Sequence, residues 1–412
     1  MKLLFFGTPA SQNHNIDRLA VDAAARLNQY AEVKADLLDL YSIDLPGAQK
    51  QVENIRASGT ELMFLEMPCR RVRSIAVALC RVLTTAWKLR KILREGEYDC
   101  VETDSSNHVA SLAAALACLT LSTTHVMGIH GDYAKRKWIP RRGWNALALC
   151  ALRLGTHFYG VSKQVVWSWP QASATSANRT RLIYNAIHDD FFSVKPDRLQ
   201  LRKEINVPAN ARLLLYAGRI VPDKGIMNLL DALPSLFLRC DAYLLLVGQT
   251  PDYEFLQKVR HRMATEPWGR RVRLLGQRED IPRFMMSSDV LVLPTLWEGF
   301  GLVLAEALAC GLPIVATNVG GIPEILADTH ELMVTPGDPQ ALSRAIESVL
   351  ERQPTEVALF AAAARESSLR FTLDRRAADL LRLFADVIGS KSRSLTLAFP
   401  KPVKPEQPPD LL

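Results

Sequence analysis

Short apolar runs that alternate with longer amphipathic stretches are the feature of this sequence that most limits its fold. A continuous apolar run of four to six residues between helices is typical of a parallel strand covered on both faces. In the first half such runs occupy residues 3–6, 100–103, 126–129 and 158–161. After a polar, proline-containing stretch the rhythm begins again, with runs at 213–217, 243–247, 272–275, 290–293 and 313–317. The pattern predicts an α/β protein with two Rossmann-like, doubly wound parallel sheets.

The single interruption in this rhythm predicts how the chain is divided. Its 412 residues are enough for two domains of ordinary size. We expect an N-terminal domain at 1–188 and a C-terminal domain at 189–370, facing each other across a cleft that holds ligands at the carboxyl ends of the strands. Residues 371–390 read as an amphipathic helix that packs back toward the N-terminal domain. Residues 391–412 are rich in proline and are expected to be disordered.

Composition excludes several classes of protein. Gly 21 and Pro 23, with 48% hydrophobic residues, exclude a fibrous or low-complexity chain. The seven cysteines are odd in number and widely spaced, which predicts neither a disulfide framework nor a CxxC site and fits a reducing compartment. The apolar stretch before Gly7 has only four residues, too few for a signal-peptide core, and no apolar stretch approaches the length of a spanning helix. We therefore expect a cytoplasmic protein.

A first candidate site lies in the segment Leu213 to Gly225. Here a buried strand ends at Gly218, and the following loop carries Arg219 and Lys224 before a helix begins. Two cations at the end of a strand, beside a helix N-terminus, make an anion site. Taken alone, the segment also fits a solvated loop with ordinary surface charges.

A second candidate site lies in the segment Val290 to Thr317. A strand ends at Pro294, a loop presents Glu298, and residues 299–302 lead into a helix that carries Glu306. The first backbone N–H groups of that helix would point at a phosphate, and Glu306 could accept hydrogen bonds from the vicinal hydroxyls of a ribose. The alternative interpretation is a loop cap followed by a solvated helix face.

Together these segments resemble a known family. They are similar to the donor-binding half of the family 4 retaining glycosyltransferases, which have the GT-B fold. The likeness covers residues 181 to about 350 closely, and the first half more loosely at 129–131 and 161–163. It rests on Gly218-Arg219 with Lys224-Gly225, on Glu298-Gly299-Phe300-Gly301 with Glu306, on Gly320-Gly321-Ile322-Pro323-Glu324 and on Tyr184-Asn185.

The resemblance implies a role for each matching residue. Arg219 and Lys224 would bind the donor diphosphate, Glu298 the sugar and Glu306 the ribose, while His130 would contact the sugar from the opposite domain. For His130 the alternative is a structural histidine at a strand end. The implied catalytic residues are His130, Arg219, Lys224 and Glu298. The implied substrate-binding residues are Arg219, Lys224, Gly248, Arg278, Glu298, Gly299, Phe300, Gly301, Leu302 and Glu306.

Three positions depart from the family pattern. Gly7 is followed by TPASQNHN where a Gly-Gly loop is usual, Ala186 stands where glycine is common, and the usual glycine is missing near 329–331. The first departure leaves open how the N-terminal domain approaches the acceptor. None of them removes a charged donor ligand.

Cleavage of a sugar–diphosphate bond leaves negative charge that a catalyst must neutralise. No Asp-x-Asp occurs in the chain, so Arg219, Lys224 and the helix N-terminus at Gly301 would supply the positive field. We therefore predict transfer without a metal or a cofactor. The resemblance implies retention at the anomeric carbon and transfer of a hexose-type sugar to a glycan or lipid-linked acceptor, in cell-surface polysaccharide or glycolipid synthesis.

Three rival functions are considered. A nucleotide-sugar epimerase or a glycosyl phosphorylase would share the fold and differ in needing no glycan or lipid acceptor. A nicotinamide oxidoreductase is disfavoured because no GxGxxG follows Phe6. A non-catalytic, membrane-associated binding protein is disfavoured because every charged donor ligand is present. The sequence leaves the donor base open between UDP, GDP and ADP, and no nucleic-acid partner is expected.

The basic excess of the chain is confined to its first half. Residues 1–195 contain 24 Lys and Arg against 17 Asp and Glu, whereas the remainder contains 26 of each. Residues 70–94 carry eight cations and no acid among apolar side chains, and residues 135–153 repeat this pattern beside two tryptophans. Such segments suit an anionic membrane surface, which would place the protein peripherally on the inner face of the membrane. The alternative for 70–94 is a solvated helix whose apolar face is core.

Overall fold

The computed structural model describes residues 1–7, 15–39, 53, 55–65, 75–105, 107–131, 154–168, 180–329 and 331–389. Several sequence predictions fall outside the described residues: the loop at 8–14, the first five residues of the basic stretch 70–94, all of 135–153, and the tail at 391–412.

The N-terminal half forms a seven-stranded parallel sheet. Its strands are β1 (Lys2–Gly7), β2 (Lys34–Asp39), β3 (Leu62–Phe64), β4 (Cys100–Asp104), β5 (Thr124–Ile129), β6 (His157–Gly160) and β7 (Thr180–Leu182). They lie in the order β3-β2-β1-β4-β5-β6-β7. The helices described in this half are α1 (Asn15–Leu27), α2 (Ile75–Glu95), α3 (His108–Ala117) and α4 (Lys163–Ser168). Every residue of β5 is buried, as a strand covered on both faces requires.

The C-terminal half forms a six-stranded parallel sheet. Its strands are β8 (Arg212–Ala217), β9 (Ala242–Val247), β10 (Val272–Gly276), β11 (Val290–Leu293), β12 (Ile314–Thr317) and β13 (Leu332–Val334). They lie in the order β10-β9-β8-β11-β12-β13, so the winding reverses between β8 and β11. That reversal opens a crevice at the carboxyl ends of these two strands.

The helices of the C-terminal half cover both faces of its sheet. They are α5 (Asp190–Ser193), α6 (Arg198–Glu204), α7 (Ile226–Arg239), α8 (Tyr253–Thr265), α9 (Ile281–Ser287), α10 (Leu302–Cys310), α11 (Ile322–Leu326), α12 (Pro339–Leu350) and α13 (Pro354–Ser368). Two parallel-sheet α/β domains were predicted from the alternation of apolar runs, and this prediction is confirmed.

The last described helix, α14 (Leu373–Gly389), returns to the N-terminal sheet. Leu380 and Phe384 are fully buried in a cluster with Leu3 and Phe5, and the Phe5 and Phe384 rings meet edge to face at 6.2 Å. The exact domain boundaries at 188/189 and 370/371 stay predictions. Of the helices in the described ranges, none has the length and apolar character needed to cross a bilayer.

Candidate functional site

Glycines bring three neighbouring strand ends of the C-terminal sheet into backbone contact. The Gly218 N–H donates to the carbonyl of Val247 at 2.9 Å, and the Gly248 N–H donates to that of Gly276 at 2.8 Å. A Cβ on Gly248, whose φ is +146°, would lie 1.8 Å from the Gly218 carbonyl oxygen. Only glycine fits there. The ends of β8, β9 and β10 therefore form a low rim of backbone that a flat ligand can approach closely.

The loops that follow β8 and β11 pack side by side. Gly225 has φ of +68°, and a Cβ on it would lie 1.9 Å from the carbonyl oxygen of Pro294. The Leu296 N–H donates to the carbonyl of Asp223 at 2.9 Å. These contacts join two segments that are about seventy residues apart in the chain, and they place both candidate segments at one crevice.

Lys224 and Glu298 form an ion pair in this crevice. The Lys224 Nζ lies 2.7 Å from Glu298 Oε2, and the two side chains are 14% and 18% exposed. An ammonium and a carboxylate this well shielded from water hold each other far more firmly than a surface pair would. The sequence predicted both residues for the site, and the structure brings them together.

A third loop, after β12, closes the floor of the crevice. A Cβ on Gly320, which has φ of +57°, would lie 1.7 Å from the carbonyl oxygen of Glu298, and the Gly321 N–H donates to the same oxygen at 3.1 Å. Helix α10 starts beside this loop after Gly301, whose φ is +93° and which offers no side-chain cap. The positive end of α10 therefore faces the crevice, with Glu306 half-buried one turn further on.

Two arginines that the sequence assigned to the donor site differ in their surroundings. Arg219 is exposed, and its carbonyl is held by a 2.6 Å hydrogen bond from the Tyr216 hydroxyl. Arg278 donates to both carboxylate oxygens of Asp280, at 2.8 and 2.9 Å. This hydrogen bonding holds the pKa of Asp280 below its usual range. A ligand at Arg278 would therefore share the guanidinium with Asp280, whereas Arg219 is open to solvent.

The crevice also meets the N-terminal domain. The Ser162 hydroxyl donates to the carbonyl of Gly299 at 2.7 Å. A Cβ on Gly299 would lie 2.8 Å from the carbonyl oxygen of His130 and 3.3 Å from Gly131 Cα. The loop that follows Glu298 thus touches the end of β5, and the carboxyl ends of the two sheets face each other at this point.

Glu324 links the domains beside this contact. Its carboxylate accepts a 2.7 Å hydrogen bond from the Lys163 N–H at the start of α4 and a 2.6 Å bond from the Tyr184 hydroxyl. Burial and this bond raise the pKa of Tyr184 above its ordinary value. Both Tyr184 and Glu324 belong to the motifs noticed in the sequence, which did not predict that they would contact each other.

The His130 imidazole lies within the N-terminal domain. It is 5% exposed, and its Nε2 lies 3.1 Å from Asp104 Oδ2 at the end of the neighbouring strand β4. Burial lowers the pKa of His130, and Asp104 opposes that shift. The resemblance had implied an imidazole in the cleft; in the structure the ring is buried beside Asp104, and the His130 carbonyl lies next to the Gly299 loop. Sequence reasoning missed Asp104, although an acid at a strand end was a signal for it.

Within the described residues no three His, Cys, Asp or Glu side chains lie close enough together to hold an ion.

Two facing Rossmann-like sheets, with a charged crevice at the switch point of the second, are the arrangement of a GT-B protein. Solved structures share it. A glycosyltransferase from Rickettsia africae ESF-5 has a TM-score of 0.80 over 95% of this chain and 99% of its own, at 20% identity. Anabaena HepE in complex with UDP and glucose has a TM-score of 0.78 over 94% of this chain and 100% of its own, at 21% identity. These similarities establish the fold.

Family models identify the family. The model for glycosyl transferases group 1 matches residues 197–366, and the model for glycosyltransferase family 4 matches residues 65–191. Together the two matches cover more than two thirds of the chain. The chain belongs to the family 4 glycosyltransferases.

Individual relatives match shorter stretches. The N-acetyl-alpha-D-glucosaminyl L-malate synthase of Bacillus anthracis is 34% identical over 145 residues, 35% of this chain and 37% of that protein. The UDP-Gal:alpha-D-GlcNAc-diphosphoundecaprenol alpha-1,3-galactosyltransferase of Escherichia coli is 26% identical over 265 residues, 63% of this chain and 66% of that protein. The chain thus spans less than two thirds of the length of these relatives.

Proposed function

We propose that this protein transfers a sugar from a nucleotide diphosphate sugar to a glycan or lipid-linked acceptor. The observation that carries the proposal is the shielded Lys224–Glu298 pair, held by three strand-end loops opposite the end of β5. A departing diphosphate develops negative charge, and Lys224, Arg219 and the N-terminus of α10 place positive charge where it would form. Glu298 is fixed by Lys224 beside that position, where it can accept hydrogen bonds from sugar hydroxyls.

In this proposal the neighbouring residues also bind the sugar, the ribose and the base of the donor. The backbone of residues 299–302 would hold the sugar and the β-phosphate, and Glu306 would accept hydrogen bonds from the ribose. The rim at Gly248, with Arg278 beside it, would border the base. That rim consists mainly of backbone, which suits recognition of a flat base by close approach.

The proposed chemistry is retaining and independent of metal. The diphosphate leaves on the face that the acceptor attacks, and a phosphate oxygen takes the acceptor proton, so that one glycosidic bond replaces one sugar–phosphate bond. The proposal is supported by the two cations Arg219 and Lys224 and by the N-terminus of α10, which would supply the positive field. A hexose-type donor and a role in cell-surface polysaccharide or glycolipid synthesis are supported by the names of relatives, which include a lipopolysaccharide core mannosyltransferase of Rhizobium meliloti.

Helix α2 supports a proposal about where in the cell the protein binds its acceptor. Its inner face is buried, with Leu89 and Leu93 in the core of the N-terminal domain. A second, outer face exposes Leu79, Leu83 and Trp87 by 59%, 61% and 70%. The described cations on this helix are Arg81, Lys88, Arg90, Lys91 and Arg94.

These two faces argue against the alternative interpretation of residues 70–94, in which all the apolar side chains belong to the core. An ordinary solvated helix buries its one apolar stripe and shows polar side chains elsewhere. In α2 one apolar stripe is already buried in the core. A second apolar stripe, whose side chains are spaced one turn apart, remains exposed among cations. We therefore propose that α2 rests on an anionic lipid surface at the inner face of the membrane, with the protein otherwise in the cytoplasm.

Donor turnover measured with and without acceptor tests the proposed reaction. Purified protein is incubated with UDP-, GDP- and ADP-hexoses, in EDTA, with and without a panel of glycans and lipid-linked sugars. We expect nucleotide release that depends on acceptor, survives EDTA and yields a product with the donor's anomeric configuration. Isomerised donor, or release that depends on inorganic phosphate, would instead indicate the epimerase or the phosphorylase. Loss on chelation, restored by magnesium or manganese, would contradict metal independence.

A further inference from the structure

A group of buried charged and polar side chains lies behind His130, and its cation comes from the other end of the chain. Arg376 on α14 is 5% exposed, Glu102 on β4 is 7% exposed and Tyr159 on β6 is 1% exposed. The Tyr159 hydroxyl donates to Glu102 Oε1 at 2.8 Å, and Arg376 Nη2 donates to the Tyr159 hydroxyl oxygen at 3.3 Å. Buried charges that are paired and hydrogen-bonded in this way fix one arrangement of their neighbours.

Gly128 allows this group to reach the His130 imidazole. Tyr159 extends from β6 across β5 to meet Glu102 on β4. A Cβ on Gly128 would lie 2.5 Å from the Tyr159 hydroxyl oxygen and 3.0 Å from His130 Nε2. One missing side chain therefore makes room for both the phenol and the imidazole, whose rings meet edge to face with centroids 6.1 Å apart.

The same guanidinium also holds the segment that joins the two domains. Arg376 Nη1 donates to the carbonyl of Tyr184 at 2.8 Å and to Asn185 Oδ1 at 3.4 Å. Tyr184 in turn donates its hydroxyl to Glu324 of the C-terminal domain. Arg376 thus connects the linking segment with the side chains behind His130.

The acidic side chains of this buried group need a positive charge close to them. Glu102 and Asp104 stand two residues apart on β4, and both line a small cavity of about 20 Å³ together with His130. Among the described residues that line it, Arg376 is the only permanent cation; α1 and β1 contribute apolar groups, namely Phe5, Leu19, Ala20 and Ala23. Burial raises the pKa of Glu102 to about 7 and Arg376 opposes this rise, while burial and Arg376 both lower the pKa of His130.

We propose that Arg376 is a positioning residue for His130. Its guanidinium offsets part of the negative charge of Glu102 and Asp104 and hydrogen-bonds to Tyr159, so that the imidazole keeps one orientation against Asp104 and stays uncharged. The inference rests on the proposed function and on the contact with the donor sugar that the family resemblance implies for His130. It assigns to the C-terminal helix a part in the site of the opposite domain.

Histidine titration followed by NMR tests this without measuring activity. The full chain is labelled at histidine, and the His130 signal is assigned with His130→Gln. Arg376→Met removes the charge at similar side-chain length, and we expect the apparent pKa of His130 to rise, because burial is then left without Arg376 to oppose the pull of Asp104. Arg375→Met, at an exposed neighbouring position, is the control and should leave the titration unchanged. A folded Arg376→Met protein with the wild-type His130 titration would overturn the proposal.

A second variant keeps the test decisive should Arg376→Met fail to fold. Tyr159→Phe removes only the hydroxyl between Arg376 and Glu102. We expect the His130 titration to shift, and kcat for sugar transfer to fall about tenfold while KM for the donor stays within about twofold. Wild-type titration and wild-type kcat in this variant would contradict the proposal. If wild-type protein transfers no sugar, the proposed function fails, while the titrations still decide the role of Arg376.

Discussion

Lys224 and Glu298 depend on each other, because each shielded charge is the partner of the other. Lys224→Met would leave Glu298 unpaired and remove a cation from the leaving group. We expect affinity for the cognate nucleoside diphosphate to fall about 10- to 150-fold, the equivalent of about 1.5 to 3 kcal/mol. Isothermal titration calorimetry measures this affinity. Lys258→Met, an exposed lysine on α8, should bind as wild type does, and unchanged affinity in Lys224→Met would remove the residue from the donor site.

His125 makes stability depend on pH. Its ring nitrogens lie 2.9 Å from the hydroxyls of Thr103 and Thr156, and burial lowers its pKa to about 3. Between that value and the ordinary value near 6.5 the unfolded chain binds a proton that the folded chain does not. The free energy of unfolding should therefore fall as pH drops below about 6.5, by up to about 1.4 kcal/mol per unit.

Urea unfolding between about pH 7 and about pH 5 checks this expectation. His125→Gln should show a shallower loss of stability than wild type, because it has no proton to gain. His261→Gln, at an exposed position on α8, should keep the wild-type slope. Equal slopes for wild type and His125→Gln would show that another group carries the acid sensitivity.

How much of the site was predictable differs from residue to residue. Lys224 and Glu298 stand in local patterns, each beside a strand end and a helix start, so the pattern together with the family resemblance located them. Arg376 could not be found in this way, because it meets Tyr159 across 217 positions of sequence. That contact further requires a glycine at 128. A glycine inside a strand indicates that another group approaches the backbone closely, but it does not identify that group.

At the scale of elements, the apolar runs predicted most of the interior strands and the edge strand β10, whereas β2, β3, β7 and β13 were missed. β4, β5, β8 and β9 are buried on both faces, and their continuous apolar runs mark them directly. β3, β7 and β13 have three residues each and lie at or next to sheet edges. Their hydrogen-bonded partners define them more than their side chains do, so periodicity gave too little signal.

Helix α14 should stabilise the N-terminal domain in particular. Phe384 is fully buried against Phe5 of β1. Phe384→Ala should lower the free energy of unfolding by about 3 to 5 kcal/mol, because it leaves a cavity in that core. Leu359→Ala, on the exposed face of α13, should be nearly neutral. Hydrogen exchange that accelerates in β1 but not in β8 would support this; equal acceleration in both sheets would contradict it.

The outer face of α2 makes a prediction about lipid. In a liposome sedimentation assay, binding should require anionic lipid and weaken as salt rises. Leu83→Glu with Trp87→Glu should abolish it, because charge cannot enter the interfacial layer, whereas Leu359→Glu on α13 should bind as wild type does. Equal partitioning into neutral vesicles, or no binding to either kind, would show that the basic stretch serves another purpose.

At the scale of the whole molecule, specific contacts between distant parts of the chain join the two domains. Ser162 binds the loop of Gly299, Glu324 binds Tyr184 and the start of α4, and α14 returns to the first sheet. The fold class was predictable from the sequence because continuous apolar runs between helices indicate buried parallel strands. The relative placement of the domains was not predictable, since it depends on contacts between residues that are far apart in the sequence.

Binding of a nucleotide sugar to the intact protein tests the central claim most directly. A ligand that binds only the folded state raises its Tm by mass action, so UDP-, GDP- and ADP-sugars are compared in a thermal-shift assay. We predict that at least one of them raises the Tm of wild type, and that Arg219→Ala and Glu306→Ala, which retain the wild-type Tm without ligand, lose most of the rise. A rise of equal size in both variants, or no rise with any nucleotide sugar, would contradict a donor site at this crevice.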